Sequence, residues 1–321
     1  MLKKVLLTGG TGFVGRSVLN RLCRDGMQVL VCSRAETMSV PRGVRHLFVA
    51  GLDSNTGWEL ALDGVEAVIH SAARVHVMHD ESFDPFAEFR KVNVEGTLNL
   101  ARQAADSGVR RFIFISSIKV NGEGAPLGVP YCADTQPLPV DPYGISKMEA
   151  EQGLRALADE TGMEVVIIRP VLVYGPGVKA NFLSMMCWLN KGVPLPFGAI
   201  DNRRSLVALD NLVDLIVTCI DHPAAANQTF LISDGEDLST TELLRRMGTA
   251  LGKPARLLPV PSRLIEVGAA MLGKQALAQR LCGSLQVDIS KTRELLNWTP
   301  PVSVDEALRK TAKHFLEQQS K

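Results

Sequence analysis

The stretch LLTGGTGFVG, residues 6–15, decides the fold. An apolar strand runs into a cluster of glycines and then into the beginning of a helix. Gly10, Gly12 and Gly15 fit the pattern G-x-G-x-x-G, and Gly9, Gly12 and Gly15 fit G-x-x-G-x-x-G. At such a turn the backbone can approach a pyrophosphate, and the helix N-terminus offers N–H groups and a positive dipole end. Both spacings predict a bound dinucleotide; a tight turn that binds nothing is the alternative.

The first half of the chain alternates short apolar runs with helical segments. Strands that are apolar throughout are buried on both faces, so the pattern predicts a parallel sheet covered by helices on both sides. We therefore expect an α/β protein with a Rossmann-type, doubly wound parallel sheet. The expected helices cover 13–25, 85–107 and 143–161, and the expected strands are KVLLTG, QVLVCSR, VRHLFVAG, AVIHSAA, RFIFISS and EVVIIRP.

The character of the sequence changes after Arg169-Pro170, where Pro and Gly mark long loops. The stretches SLVALDNLVDLIVTCI and TFLISDGEDLSTTELLRRM each predict a strand followed by a helix, with Asp210 a candidate N-cap of the first helix. The long connection 121–142 is typical of a binding loop. We expect a dinucleotide-binding domain and a smaller C-terminal substrate domain, formed respectively by residues 1–172 plus about 205–232 and by about 173–204 plus 233–321.

Charge and composition restrict the partners. The formal net charge of +1 gives no global field that would favour nucleic acid or an anionic membrane. The six cysteines include no C-x-x-C pair, which favours reduced thiols and a cytoplasmic location. The apolar run after Lys3 and Lys4 is too short for a signal peptide, and no stretch reaches the roughly 18 apolar residues of a membrane span. Residues 264–272, the most apolar helix candidate, are expected to be packed or to face a partner.

Tyr143 and Lys147 stand four residues apart at the beginning of a predicted helix, in the sequence YGISK. Residues at this spacing lie on one helix face. A phenol has an unperturbed pKa of about 10 and a nearby ammonium favours its phenolate, so the pair predicts a general acid–base. Ser117 ends the strand FIFISS at the carboxyl edge of the sheet, where ligands bind in this class. A solvated Tyr–Lys pair and a solvated strand end are the alternatives.

Together these motifs resemble the extended short-chain dehydrogenase/reductase family over most of the chain. T-G-x-x-G-x-x-G matches residues 8–15, Y-x-x-x-K matches Tyr143 and Lys147, and Ser117 stands at the family's catalytic Ser/Thr position. Asn93 in VNVEGT, together with VIHSAA, RPVLVYGPG, RRSLVALDNLVD and VDISKTRELLNWTP, is similar to further family motifs. The resemblance implies that Tyr143 is the acid–base, that Lys147 binds the nicotinamide ribose and lowers the tyrosine pKa, and that Ser117 positions the reacting oxygen.

The resemblance also implies which residues contact the dinucleotide. They are Gly9, Thr11, Gly12, Phe13, Val14, Ser33, Arg34, Leu52, Asp53, Ala72, Ala73, Ser116, Tyr143, Lys147 and Pro170. Members that retain NAD usually end the second strand in an acidic residue, whereas this chain has Ser33 followed by Arg34. A carboxylate would repel a 2′-phosphate and an arginine can pair with it. NADP(H) is therefore favoured, with NAD as the alternative.

The same two residues decide the expected reaction. Dehydratases of the family carry Asp-Glu after the catalytic Ser/Thr, whereas Ile118 and Lys119 follow Ser117 here. Because a reductase consumes NADPH, Ser33 and Arg34 favour an NADPH-dependent reductase. The overall pattern is similar to bacterial enzymes that reduce the 4-keto group of UDP-linked 6-deoxy-N-acetylhexosamines for O-antigen and lipopolysaccharide synthesis. The alternatives are an NAD-dependent 4-epimerase of UDP-hexoses or UDP-N-acetylhexosamines and a non-enzymatic dinucleotide-sensing protein.

A nucleotide sugar implies a second set of contacts. Guanidinium groups suit a diphosphate, the segment PLPFG resembles one that flanks the nucleobase, and which of Arg203 and Arg204 faces the substrate stays open. The expected substrate residues are Arg74, Lys119, Asn181, Pro196, Phe197, Arg203, Arg204 and Arg280. His76, His79 and Asp80 form a candidate metal trio, but the family needs no metal and none is expected. Family members commonly form homodimers through two helices of the main domain, here 85–107 and 143–161.

Overall fold

The main sheet of the protein confirms the doubly wound fold. The structure, a computed structural model, describes residues 3–75, 84–273 and 275–320. Seven strands form one parallel sheet in the order β3-β2-β1-β4-β5-β6-β9, and β10, β8 and β7 form a smaller sheet in that order. The strands are β1 Lys4–Thr8, β2 Gln28–Ser33, β3 Arg45–Phe48, β4 Ala67–His70, β5 Arg111–Ile115, β6 Glu164–Pro170, β7 Leu172–Tyr174, β8 Arg204–Ala208, β9 Thr229–Ile232 and β10 Asp237–Leu238.

Helices cover both faces of the main sheet. Along β1, Val5 and Leu7 lie in one buried core and Leu6 lies in the other, because successive strand side chains point to opposite faces. Helices α1 and α7 cover the first core, and α4 and α5 cover the second. The helices are α1 Phe13–Arg24, α2 Glu59–Leu62, α3 Pro85–Arg90, α4 Gly96–Asp106, α5 Pro142–Thr161, α6 Ala180–Asn190, α7 Leu209–Asp221, α8 Thr240–Ala250, α9 Ser262–Met271, α10 Gln275–Cys282, α11 Ser290–Leu296 and α12 Val304–Gln319.

A third core belongs to the C-terminal part of the chain. Phe182 of α6, Leu244 of α8 and Leu308 of α12 pack there with Leu206 of β8. The segment 205–232 was expected with the dinucleotide-binding domain, and α7 and β9 do pack on the main sheet. β8, in contrast, pairs with β7 and β10 in the smaller sheet. The division into two domains stays a prediction.

Two local expectations need correction, and a third stays open. The helix expected over 85–107 contains a π-helical turn, Lys91–Glu95, between α3 and α4. Asp210 is not the N-cap of α7: Ala208 takes that position, and the Asp234 carboxylate accepts a 2.7 Å hydrogen bond from its backbone N–H. Helix α9 covers most of the apolar stretch 264–272 and has no buried residue. Among the described residues, no helix is long and apolar enough to cross a membrane.

Candidate active site

The glycine loop between β1 and α1 is packed too closely for side chains. Gly9 has a left-handed φ of +71°, and a Cβ atom there would lie 2.7 Å from the amide nitrogen of Ala72. A Cβ atom on Gly15 would collide with the carbonyl oxygen of Gly9. The first turn of α1 carries no acidic residue, and its N-cap Gly12 has no side chain to occupy the helix end. The N–H groups and positive dipole at this end fit a dinucleotide pyrophosphate.

A buried histidine joins the glycine loop to the end of β4. The ring of His70 makes hydrogen bonds of 2.8 Å to Thr8 Oγ1 and 3.0 Å to Thr97 Oγ1, and the Ser71 hydroxyl donates to the Thr8 carbonyl at 2.7 Å. Burial, with a smaller contribution from the charge of Lys147, lowers the pKa of His70 to about 3. The imidazole is therefore neutral, and it holds the loop beside the strand end that leads to Ala72.

Helix α5, which carries two of the predicted catalytic residues, begins beside the end of β5. The Asp141 carboxylate caps this helix by accepting from Gly144 N–H at 2.6 Å. Tyr143 and Lys147 follow on one face of the first two turns. Ser117 lies just beyond β5, and its side chain hydrogen-bonds the Tyr143 hydroxyl. The structure thus brings together the three residues that the sequence predicts to be catalytic.

Burial dominates the electrostatics of this trio. It raises the pKa of Tyr143 above its ordinary value, Asp141 raises it further, and the hydrogen bond from Ser117 opposes both. Lys147 is 1% exposed, and burial lowers its pKa to about 7 against the opposing charge of Glu151. Its ammonium donates to the Ile115 carbonyl at 2.8 Å. Burial raises the tyrosine pKa here, and the net lowering that the sequence led us to expect from Lys147 does not appear.

Asn93 fastens the loop after β4 to the catalytic helix. Its Oδ1 accepts from Arg74 N–H at 2.8 Å, and its Nδ2 donates to the Arg74 carbonyl and to Ser146 Oγ, both at 3.0 Å. Ser146 in turn donates to the Tyr143 carbonyl at 2.8 Å. Asn93 lies in the π-helical turn, a feature often found at functional sites.

The residues expected near the adenosine lie at the carboxyl ends of β2 and β3. Ser33 Oγ is hydrogen-bonded to His46 Nε2 at 2.9 Å, and Arg34 is exposed. The Asp53 carboxylate accepts from Asn55 N–H at 3.0 Å and closes a turn of its own. These positions leave Arg34 accessible to a ligand, whereas Ser33 and Asp53 already have partners within the chain.

Two arginines predicted to bind the substrate, Arg204 and Arg280, influence each other electrostatically. Arg204 donates to the Gly283 carbonyl at 3.0 Å, and burial together with the charge of Arg280 lowers its pKa. In the described part of the chain, neither guanidinium has a carboxylate within ion-pair distance. Arg203 is exposed and does not share this environment. The position of Arg204 beside a second cation fits an anionic ligand such as a diphosphate.

The other predicted substrate residues are scattered. Asn181 and Pro196 are exposed, whereas the Phe197 side chain is 8% exposed within the third core. The ammonium of Lys119 binds the carboxylates of Glu123 and Asp141. Their roles as substrate contacts stay predictions.

The side of the site nearest β4 also has residues whose roles stay predictions. Arg74 is partly buried with its guanidinium 5.7 Å from the centre of the Phe89 ring. His76, His79 and Asp80 lie outside the described residues.

A buried ion pair that was not evident from the sequence lies beneath the trio. Glu151 and Arg169 are 0% and 2% exposed, and Arg169 contacts the carboxylate through Nε at 2.9 Å and Nη2 at 2.5 Å. Ser116 donates its hydroxyl to Glu151 at 2.6 Å, and its expected contact with the cofactor stays a prediction. The available signal was spacing, since Glu151 continues the four-residue interval that separates Tyr143 from Lys147.

Comparison with known proteins identifies the family. The profile of the NAD-dependent epimerase/dehydratase family matches residues 5–233. A protein named UDP-glucose 4-epimerase from Vibrio cholerae is 51% identical over 319 residues, which cover 99% of this chain and 97% of that protein.

Two solved structures have the same fold. The UDP-glucose 4-epimerase of Thermotoga maritima, solved with UDP-glucose, has a TM-score of 0.77 at 24% identity and covers 98% of this chain and 99% of its own. The Bordetella bronchiseptica enzyme WbmG, solved with NAD, has a TM-score of 0.78 at 23% identity and covers 99% of this chain and 95% of its own.

The reductase expected from Ser33 and Arg34 is wrong. The relative with 51% identity is named as a 4-epimerase, which favours the alternative reaction. The error lies in deriving the reaction from the form of the cofactor. A 4-epimerase oxidises its substrate and then reduces it again, so it consumes no reducing equivalent and can use either NAD or NADP. The form of the dinucleotide therefore does not decide between a reductase and an epimerase. The chain is an enzyme that uses an NAD(P) dinucleotide, as expected, and it belongs to the NAD-dependent epimerase/dehydratase family of extended short-chain dehydrogenases.

Proposed function

We propose that the protein is a 4-epimerase of a UDP-linked hexose or N-acetylhexosamine that retains its NAD(P) through each turnover. The observation that carries the proposal is the meeting of Ser117, Tyr143 and Lys147 at the carboxyl end of β5, in the same parallel sheet whose strand β1 leads into the glycine loop. The name of the Vibrio cholerae relative and the UDP-glucose bound to the Thermotoga maritima enzyme support the same reaction and substrate class.

Each residue of the trio would have its own role in the proton transfer. The bound dinucleotide would take a hydride from C4 of the sugar and give it back. Tyr143 would remove the proton of the 4-hydroxyl during oxidation and return it during reduction. Ser117, in contact with the tyrosine hydroxyl, would hold the sugar oxygen, and the Lys147 ammonium would stabilise the phenolate.

Inversion requires that the ketone turns its opposite face to the hydride while the rest of the molecule stays bound. A diphosphate anchor away from C4 meets this requirement. Arg204 and Arg280 supply two neighbouring positive charges for such an anchor. In this mechanism the UDP end of the substrate stays fixed while the 4-keto sugar rotates.

The form of the dinucleotide stays a prediction from the end of β2. Arg34 is exposed there, next to a serine where a carboxylate would face an NAD ribose, and this pair favours NADP. Epimerisation proceeds with either form because the hydride is returned. The homodimer and the role in O-antigen synthesis also stay predictions.

The test is interconversion without added cofactor. The purified protein is incubated with UDP-glucose or UDP-N-acetylglucosamine, and the product is separated from its C4 epimer by chromatography. We expect interconversion of at least one pair, and mass spectrometry of the denatured protein should find one NAD or NADP per chain. A protein with bound dinucleotide that converts none of the UDP-hexoses or UDP-N-acetylhexosamines would refute the proposal.

A further inference from the structure

The carboxylate of Glu151 occupies the centre of a closed polar network under the catalytic trio. Oε1 accepts from Ser116 Oγ at 2.6 Å and Arg169 Nε at 2.9 Å, and Oε2 accepts from Arg169 Nη2 at 2.5 Å and Arg155 Nη2 at 2.9 Å. Both Glu151 and Arg169 are almost completely buried. Removing two charges from water is costly, and an apolar pair of equal volume often gives equal or better stability. Stability alone does not account for an ion pair at this position.

The network touches the site on three sides. Glu151 lies one helical turn beyond Lys147 on α5. Ser116 directly precedes Ser117 at the end of β5. On the other side, Arg169 of β6 donates through Nη1 to Asn121 Oδ1 at 3.1 Å, at the beginning of the long 121–142 loop. The buried carboxylate therefore connects the lysine, the serine and the loop.

We propose that Glu151 is a positioning residue whose negative charge, held in place by Arg169, keeps Lys147 protonated in its buried site. Burial opposes the ammonium form, and Glu151 is the charge that opposes this effect. The other groups around Lys147 carry no negative charge: the Phe114 ring lies 4.3 Å from Nζ, Ile115 contributes a neutral carbonyl, and His70 is neutral. Beyond the tyrosine, Asp141 is itself paired with Lys119.

The inference rests on the proposed 4-epimerase, and it makes a prediction of definite sign. Removing a negative charge lowers the pKa of every titrating group nearby. In Glu151→Gln the amide keeps an oxygen to accept from Ser116 while the charge is lost. We expect the pH profile of kcat/KM to move to lower pH by about one unit or more. Glu151→Asp keeps the charge and should lower kcat without moving the profile.

Glu149→Gln is the matched control. Glu149 lies on the same helix and loses the same charge, but its carboxylate binds Arg90 at the surface, at 2.8 Å from Nε. Its profile should match that of the wild type. If Glu151→Gln does not fold, the double variant Glu151→Gln/Arg169→Met removes the unpaired guanidinium as well. We expect that variant also to shift to lower pH, because Glu151 is the charge that raises the pKa of Lys147.

A second readout separates this inference from the proposed reaction. Lys147 is expected to bind the nicotinamide ribose, so loss of its proton should release the dinucleotide. Retention after dialysis at a series of pH values needs no sugar substrate, and the pH of half-release should be lower in Glu151→Gln than in wild type or Glu149→Gln. An unchanged half-release pH in Glu151→Gln, or in the double variant, would overturn the role of Glu151. Failure of wild type to epimerise with the shift intact would overturn only the proposed reaction.

Discussion

Within the site, burial pushes single residues toward their neutral forms. It raises the pKa of Tyr143 and lowers that of Lys147 to about 7, while Ser117 and Glu151 act in the opposite direction. A phenol and an amine in water would stay protonated near neutral pH and exchange protons with solvent. In this site their protonation depends on a few fixed neighbours, so substitutions that remove one charge or one hydroxyl should have measurable effects on catalysis.

Removal of the Tyr143 hydroxyl tests the acid–base role. Tyr143→Phe keeps the ring, which lies 6.2 Å from that of Phe89, and should lower kcat by roughly 10²–10⁴-fold, the usual contribution of a positioned acid–base. Dinucleotide content and thermal unfolding should not change. Tyr174→Phe is the converse control, since Tyr174 packs in the third core and the substitution removes its 2.8 Å hydrogen bond to Asp234. That variant should unfold at lower temperature with kcat retained, and equal activity loss in both would contradict the assignment.

Arg34 should determine how well the enzyme distinguishes the two dinucleotides. A charge-assisted hydrogen bond to a phosphate is worth about 1.5–3 kcal/mol, so Arg34→Ala should weaken NADP binding by about tenfold or more and leave NAD binding nearly unchanged. Isothermal titration of protein stripped of its dinucleotide measures both constants. Arg42→Ala, another exposed arginine in the same loop region, is the control. Parallel losses for NAD and NADP in Arg34→Ala would remove Arg34 from the 2′-phosphate site.

At the scale of elements, the sequence predicted those helices, strands and turns that are determined by contacts between residues close together in the chain. The glycine loop, the apolar run KVLLTG and the four-residue interval of Tyr143 and Lys147 all gave their elements correctly. The Asp234 contact that displaced Asp210 as the predicted cap comes from a residue 26 positions away in the chain. The π-helical turn likewise cannot be read from periodicity over a few residues. Elements were predictable wherever the determining contacts are local.

Gly9 and Gly26, which precede and follow helix α1, form a matched pair for testing the glycine loop. Gly9 and Gly26 have nearly equal positive φ angles, +71° and +73°, so alanine is strained at both. Only at Gly9 would the new Cβ meet backbone, at 2.7 Å from Ala72 N, whereas nothing lies within 4 Å at Gly26. Gly9→Ala should therefore purify without dinucleotide and without activity, while Gly26→Ala should lose some stability and retain both. Full dinucleotide content in Gly9→Ala would show that the glycine loop can shift away from Ala72 and still bind the dinucleotide.

For the whole molecule, the sequence predicted the sheet but not the buried links that cross it. Glu151 and Arg169 are 18 positions apart on a helix and a strand, and neither residue alone indicates a partner. Likewise, the 51% identical relative corrected the reaction where Ser33 and Arg34 had misled, since those residues report on a ribose rather than on the sugar. The residues that bind the adenosine end of the dinucleotide do not determine the reaction of the sugar at its nicotinamide end.

His70 couples the stability of the whole fold to pH. Its pKa is lowered to about 3 in the folded protein, chiefly by burial, against 6.5 for an ordinary histidine. Between these values the unfolded chain binds a proton that the folded chain does not. The unfolding free energy is therefore at its full value above about pH 6.5 and is lost progressively as the pH falls toward 3, by about 1.4 kcal/mol for each unit well inside that window.

His70→Gln removes the titrating ring and keeps a side chain able to hydrogen-bond Thr8 or Thr97. It should be less stable than wild type at neutral pH, because the two-sided bridge between β1 and α4 is weakened. Its stability should nevertheless fall less steeply from about pH 6.5 to about pH 4.5. Urea unfolding at a series of pH values measures both slopes. His46 lies in the edge strand β3 and is hydrogen-bonded to Ser33, so His46→Gln is the control. The pH dependence of its unfolding free energy should follow that of the wild type. Equal slopes in all three proteins would mean that the buried imidazole does not limit stability in acid, and that the loss of stability arises from carboxylates elsewhere in the fold.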